Sequence, residues 1–85
     1  MKEGIIKDFS TSTLNDETSN VNLTITCEAG SATVKTELNK EILEKHVKKG
    51  ITVFFDESAM LLIIQVSDSL IIKPPVTGYY IIHGQ

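Results

Sequence analysis

Three side chains in this sequence could supply nucleophilic, acid–base or metal-binding chemistry: Cys27, His46 and His83. Their separations match none of the ligand spacings of structural zinc sites. Cys27 occupies an apolar position of an alternating segment and has no basic neighbour in sequence that would favour the thiolate. His46 falls among apolar residues of a helical segment, and His83 is near the end of the chain. These residues therefore predict no catalytic, metal or cofactor site.

The acidic residues give no stronger indication of an active site. Two adjacent pairs, Asp16-Glu17 and Asp56-Glu57, lie in turn-like sequence, where carboxylates commonly remain solvated. Neither pair has a sequence partner that would divide the two carboxyls into an acid and a base. The chain also has no phosphate-binding glycine loop, no GxSxG and no HExxH. We therefore expect that this protein is not an enzyme.

Charge composition disfavours nucleic acid as a partner. All eight basic residues are lysine, and eleven acids give a formal net charge of −3. Arginine is the usual residue for bidentate contacts to guanine, and a negative chain lacks a general attraction for phosphates. One basic cluster, Lys45, Lys48 and Lys49, supplies the candidate nucleic-acid contacts.

Eighty-five residues predict one small domain that spans 1–85. A domain of this size buries roughly 60–65 % of its unfolded surface, so association with a partner would add to a thin stability margin. The longest apolar run, residues 60–64, is far too short for a membrane span. One cysteine cannot form an internal disulfide, which indicates a reducing, cytoplasmic location. Abundant Lys, Asn and Ile without Arg are typical of an A/T-rich bacterial or phage genome.

The N-terminal half predicts a short strand, a loop and a hairpin. Residues 4–9 favour a strand, and the Ser/Thr-rich segment 10–20 has a single leucine among polar residues, which is typical of a flexible loop. Apolar and polar residues then alternate through 21–27 and again through 32–36, which predicts two paired strands. Gly30 lies in the turn between them and can adopt a positive φ.

The spacing of apolar residues predicts one amphipathic helix from Glu37 or Asn39 to Lys49. Ile42, Leu43 and Val47 fall on one arc and are expected to pack on the sheet. Charged residues fill the opposite side, with Glu41–Lys45 and Glu44–Lys48 as favourable i,i+4 pairs. Thr36 or Asn39 can cap the start, and Gly50 can end the helix.

The C-terminal part predicts further strands that are separated by turn residues. The adjacent prolines Pro74 and Pro75 mark an edge or a bend, because proline cannot donate to a ladder. The strands expected here cover 51–55, 59–66, 70–73 and 76–83.

These C-terminal strands are apolar on both faces. In segment 59–66, for example, Leu62 and Ile64 lie on one face and Leu61 and Ile63 on the other. A strand that is apolar on both sides must be covered on both sides, and one short helix can cover only one face of the sheet. Closure into a barrel or sandwich, contact with another copy, or docking of a different protein would supply the second cover. The residues expected at such an interface are Leu61, Ile63, Tyr79, Tyr80 and Ile82.

The sequence as a whole predicts an α+β fold. We expect a small, mostly antiparallel β-sheet or partly closed barrel of five or six strands, with one amphipathic helix between the third and fourth. The leading functional hypothesis is a small cytosolic interaction protein that self-associates and binds another macromolecule as a regulator or inhibitor. The alternative is a homo-oligomeric ring or barrel that binds a small ligand or RNA between subunits.

Overall fold

Extended backbone dominates the computed structural model, which describes residues 1–28 and 30–83, with side chains through residue 79. Within these residues there is one helix, α1 (Lys40–His46), which follows the third strand and precedes the fourth as the sequence predicts. The strands are β1 (Lys2–Thr13), β2 (Thr18–Cys27), β3 (Gly30–Asn39), β4 (Thr52–Asp56), β5 (Leu61–Gln65), β6 (Ile71–Ile72) and β7 (Val76–His83).

All seven strands belong to a single antiparallel sheet. Their order is β6-β5-β4-β1-β2-β3-β7, so β1 lies in the centre and β6 and β7 form the two edges. The predicted hairpins β2–β3 and β4–β5 are both confirmed. The α+β class is therefore confirmed, in a form with far more strand than helix.

One face of the sheet carries almost the entire core. Alternating residues of β2 and β3 are buried on this inner face, and the same alternation continues on β4 and β5. The buried apolar residues are Ile6, Val21, Leu23, Ile25, Ala32, Val34, Leu38, Val47, Val53, Phe55, Leu62 and Ile64.

The sheet buries this face by curling on itself. Four strands separate β5 from β7, which corresponds to about 24 Å across a flat sheet. The Tyr79 hydroxyl on β7 nevertheless donates a hydrogen bond to the Leu61 carbonyl on β5 at 2.6 Å. The inner faces of the two halves of the sheet therefore pack against each other.

The predicted five or six strands in a partly closed barrel were wrong in detail. The structure has seven strands in an open sheet, because β6 and β7 are its two ends and do not pair with each other. Lys73, Pro74 and Pro75 interrupt the chain between these two strands. Neither proline has an N–H to donate to a ladder. The last extended segment is therefore divided into the edge strands β6 and β7, which do not join to close the sheet into a barrel.

The predicted flexible loop at 10–20 is strand over most of its length. Residues 10–13 extend β1 and residues 18–20 begin β2, which leaves only 14–17 as the turn. The ladder satisfies the backbone there, so the exposed Ser and Thr side chains need no core. The Asn15 side chain fixes the turn by accepting hydrogen bonds from the amides of Glu17 and Thr18.

The helix is shorter and less buried than its spacing predicts. β3 continues through Asn39, whose side chain caps α1 by accepting bonds from the amides of Glu41 and Ile42. Of the three expected core residues, only Val47, just after the helix, is buried, at 3 % exposure, whereas Ile42 is 37 % exposed. Within residues 1–28 and 30–83, no helix has the length and apolar character needed to span a bilayer.

A close approach between strands explains the glycine in β1. Gly4 lies between Val53 of β4 and Cys27 of β2. A Cβ at Gly4 would collide with Ile25 Cγ2 and would lie 2.8 Å from the Thr26 carbonyl oxygen. Glycine at this position therefore permits the central strands to pair while the inner face stays closely packed.

We expect Gly4→Ala to lower the free energy of unfolding by about 1–3 kcal/mol, because the added methyl group overpacks the core. The matched control is Gly78→Ala on β7, where a Cβ would meet Lys35 Cδ at an ordinary 3.5 Å. That control should change stability by less than about 0.5 kcal/mol. Urea denaturation followed by circular dichroism measures both, and equal stability of the two variants would contradict the close-approach argument.

Candidate functional site

The outer face of β1, β4, β5 and β6 carries a group of apolar side chains. Cross-strand register places Phe54 opposite Ile63, while Ile5 and Ile71 end a neighbouring row that runs through Thr52 and Gln65. We call this group the outer apolar surface, and its members are Ile5, Phe54, Leu61, Ile63 and Ile71.

The outer apolar surface is open to solvent. Ile5 and Ile71 are each 49 % exposed, and the remaining members are partly buried. Helix α1 packs against β3 and directs Val47 into the core. The outer apolar surface thus retains the uncovered second face that the C-terminal strand pattern predicts.

Opposite charges lie at the two ends of β4 along this surface. Lys48 and Lys49 precede the strand, while Asp56 and Glu57 end and follow it. Lys49 Nζ lies 3.7 Å from an Asp8 carboxylate oxygen, and a Lys2–Glu57 ion pair of 3.0 Å lies at the other end. Each end of the outer apolar surface consequently carries both signs of charge, with Lys49 beside Asp8 at one end and Lys2 beside Glu57 at the other.

The five residues predicted for an interface are divided between β5 and β7. Leu61 and Ile63 lie on the outer face of β5, as expected. Tyr79 lies on β7, beyond four intervening strands, and faces inward. Tyr80 and Ile82 pair by register with Thr33 and Ser31 of β3, and their side chains lie outside the described residues.

Tyr79 has a structural environment on the inner face. Its ring centroid lies 6.1 Å from that of Phe55, and its hydroxyl donates to the Leu61 carbonyl. Burial raises the pKa of Tyr79 to about 12; the Asp56 backbone amide partly opposes this shift, and the charges of Asp56 and Glu57 add to it. The neutral hydroxyl is thereby favoured as the donor that joins β7 to β5.

The candidate nucleic-acid contacts lie in and just after α1. Lys45 pairs with Glu41 at 2.9 Å, as the i,i+4 spacing predicts, and Lys49 is close to Asp8. Lys48 is exposed. Carboxylates therefore already accompany two of the three lysines.

The residues that could supply catalytic or metal-binding chemistry lie on different elements of the fold. Cys27 is half-buried in a cleft of about 420 Å³ that also contacts Lys2, Glu3 and Glu28. His46 ends α1, and the His83 side chain lies outside the described residues. In the described part of the chain, no cluster of His, Cys, Asp and Glu could hold a metal ion.

A second cleft, of about 280 Å³, borders the turn between β4 and β5. Asp56 Oδ1 organises this turn by accepting bonds from the Ser58 hydroxyl at 2.7 Å and from the amides of Ser58 and Ala59. The Ser58 hydroxyl is the main cause that holds the pKa of Asp56 below its ordinary value. These contacts define a structured turn at one end of the outer apolar surface.

Sequence reasoning missed three members of the outer apolar surface: Ile5, Phe54 and Ile71. Each lies beside an apolar residue that occupies the opposite face, namely Ile6, Phe55 or Ile72. The signal that the sequence offered for these residues was a pair of adjacent apolar residues at each position. Assigning them to one surface required the strand order, since β1 pairs with β4 across a long sequence separation.

Comparison with known proteins finds no matching family model, no matching curated protein and no matching solved structure.

Replacement of the Tyr79 hydroxyl should weaken the contact that holds the sheet in its curl. We expect Tyr79→Phe to lower the free energy of unfolding by about 0.5–1.5 kcal/mol, because the Leu61 carbonyl loses its donor while the ring contact remains. Tyr79→Leu should cost more, since it also removes the ring beside Phe55. Urea denaturation measures both changes, and wild-type stability in Tyr79→Phe would contradict the role of the hydroxyl.

The raised pKa of Tyr79 also predicts a loss of stability at alkaline pH. An unfolded tyrosine titrates near a pKa of about 10, and the folded one near about 12. The stabilising contribution of the neutral side chain is complete below pH about 10 and declines as the pH rises to about 12. Denaturation midpoints of the wild type should fall more steeply across this interval than those of Tyr79→Phe. Parallel pH profiles would contradict the assignment.

Proposed function

We propose that this protein is a small interaction protein of bacterial or phage type, not an enzyme, that self-associates and binds another macromolecule as a regulator or inhibitor. The outer apolar surface is the observation that carries the proposal. It presents five large apolar side chains on the outer face of the sheet, two of them half exposed. We assign this surface to contact with a second copy of the chain.

The free energy available from covering this surface supports association. Apolar patches of several hundred Å² are uncommon on monomers and generally mark contact sites. Complete burial of an Ile, Leu or Phe side chain contributes about 1.5–3 kcal/mol. Burial of what remains exposed on Ile5 and Ile71 contributes part of that amount for each residue, which is significant for a domain of this size.

The charges that border the surface favour a second copy as its occupant. Two copies related by a two-fold axis, with their β4 strands antiparallel, bring the Lys49–Asp8 end of one surface to the Lys2–Glu57 end of the other. Lys49 of one copy would then approach Glu57 of the second copy, and Asp8 would approach Lys2. Such rim charges contribute mainly to orientation and to the rate of association.

A cytoplasmic location is part of the same proposal. Cys27 is a free, half-buried thiol. Cytoplasmic reducing conditions would keep it in this form.

We expect the wild-type protein to show a mass of twice 9.4 kDa by light scattering after size exclusion, with dissociation on dilution. Ile5→Asp and Ile71→Asp should each shift the population towards the 9.4 kDa monomer, because a carboxylate would have to be buried in the contact. Both residues are half exposed in the monomer, so these variants should keep the fold.

The matched control is Asn22→Asp, which adds the same charge at an exposed position on the outer face of β2, outside the outer apolar surface. This variant should self-associate like the wild type, and circular dichroism should show equal strand content in all four proteins. A wild-type monomer at every concentration would contradict the proposal, as would an equal shift in Asn22→Asp.

A further inference from the structure

Strand β7 presents a long free edge. It pairs with β3 on one side and is the last strand in the sheet order. Among the residues that the structure describes, no strand pairs with its other side. Eight residues, Val76–His83, therefore carry backbone groups along this edge that an additional extended strand could bond.

The two edges of the sheet differ in how they are protected. The opposite edge, β6, is only two residues long and is followed by Lys73 and two prolines, which are features that discourage strand addition. β7 contains no Lys, Arg, Asp, Glu or Pro that would do the same. Its start is also held in place, because the Thr36 hydroxyl of β3 donates to the Pro75 carbonyl.

The side chain of Lys35, on the neighbouring strand β3, lies against Gly78 of β7. Lys35 pairs by register with Gly78. A Cβ placed on Gly78 would lie 3.5 Å from Lys35 Cδ and 3.8 Å from Lys35 Cβ. The Lys35 stem therefore lies against Gly78, and the ammonium group, two bonds beyond Cδ, stays close to β7. Lys35 also takes part in an interaction within the chain, and three ammonium protons permit more than one acceptor.

We propose that the free edge of β7 binds an extended strand of a partner protein, with a carboxylate on that strand placed near Lys35. This inference rests on the proposed function, since it names the class of macromolecule that the protein binds. Main-chain hydrogen bonds would supply the affinity, and the charge near Lys35 would supply specificity.

Charge favours a partner strand over β7 of a second copy. The segment Val76–His83 contains no carboxylate, so an identical β7 offers nothing to meet the Lys35 ammonium group. Pairing of β7 with β7 of a second copy would be a second two-fold contact, and it would link dimers formed through the outer apolar surface into larger assemblies. A strand from a different protein would occupy the edge of β7 without linking further copies. The occupant expected here is an extended, β-branched segment that carries an Asp or Glu.

The test uses the full-length chain and three labelled octapeptides with blocked ends. The first is Thr-Val-Thr-Val-Glu-Val-Thr-Val, the second replaces Glu with Gln, and the third replaces two Val with Pro. Fluorescence anisotropy should show saturable binding of the first peptide, binding of the second about two- to five-fold weaker, as for an exposed ion pair, and no binding of the third. Alternate amides of β7 should gain protection from hydrogen exchange when the first peptide binds.

Two lysine variants test the charge. Lys35→Gln should bind the Glu and Gln peptides equally, while the control Lys7→Gln, which alters an exposed lysine outside β3 and β7, should keep the preference. Equal binding of both peptides by the wild type, binding of the proline peptide, or unchanged exchange in β7 would overturn the inference. Concentration-dependent protection of β7 without peptide would also overturn it, because the occupant would then be a second copy.

The same titration on Ile5→Asp separates this inference from self-association. If the outer apolar surface does not join two copies, the wild type is a monomer and peptide binding to β7 is unaffected. If β7 binds no peptide, the masses measured for the wild type and Ile5→Asp still report on the outer apolar surface. Each proposal can therefore fail while the other stands.

Discussion

In the part of the chain that the structure describes, seven strands accompany one seven-residue helix, so the sheet must bury its inner face largely against itself. The Tyr79–Leu61 hydrogen bond marks the point where this burial is completed, because it joins strands that would lie about 24 Å apart in a flat sheet. Phe55 and Tyr79 contact each other beneath it, and the core residues of β2 and β3 fill the remaining interior. The curl also determines which face and which edges of the sheet remain exposed.

Curling buries the inner face of the sheet, whereas among the described residues no element covers the outer face. On β2 and β3 the outer residues are mostly Thr, Asn, Ser and Lys, which water can solvate. On β1, β4, β5 and β6 the outer residues include Ile5, Phe54, Leu61, Ile63 and Ile71. The sheet therefore divides into a solvated half and an apolar half, and the apolar half is the part that another molecule would stabilise.

The same chain segment creates both edges of the sheet. β6 and β7 are separated by only three residues, two of them proline, and they pair with strands at opposite ends of the sheet order. Proline prevents one continuous strand from closing the ring, so the sheet stays open while its inner faces meet. The edge strand β6 is thereby only two residues long, whereas the edge strand β7 has eight residues and contains no Lys, Arg, Asp or Glu.

The sequence by itself determined the local elements whose signals are periodic. These are the β2–β3 hairpin, the β4–β5 hairpin and the apolar excess on both faces of β5, while for the cap of α1 the sequence offered Thr36 or Asn39 and the structure has Asn39. Tertiary structure decided the rest: that Ser10–Thr13 extend a strand, that Tyr79 faces inward, and that Ile5 joins Ile63 on one surface. Those outcomes depend on pairing between residues far apart in sequence, above all β1 with β4, and local periodicity carries no information about such pairing.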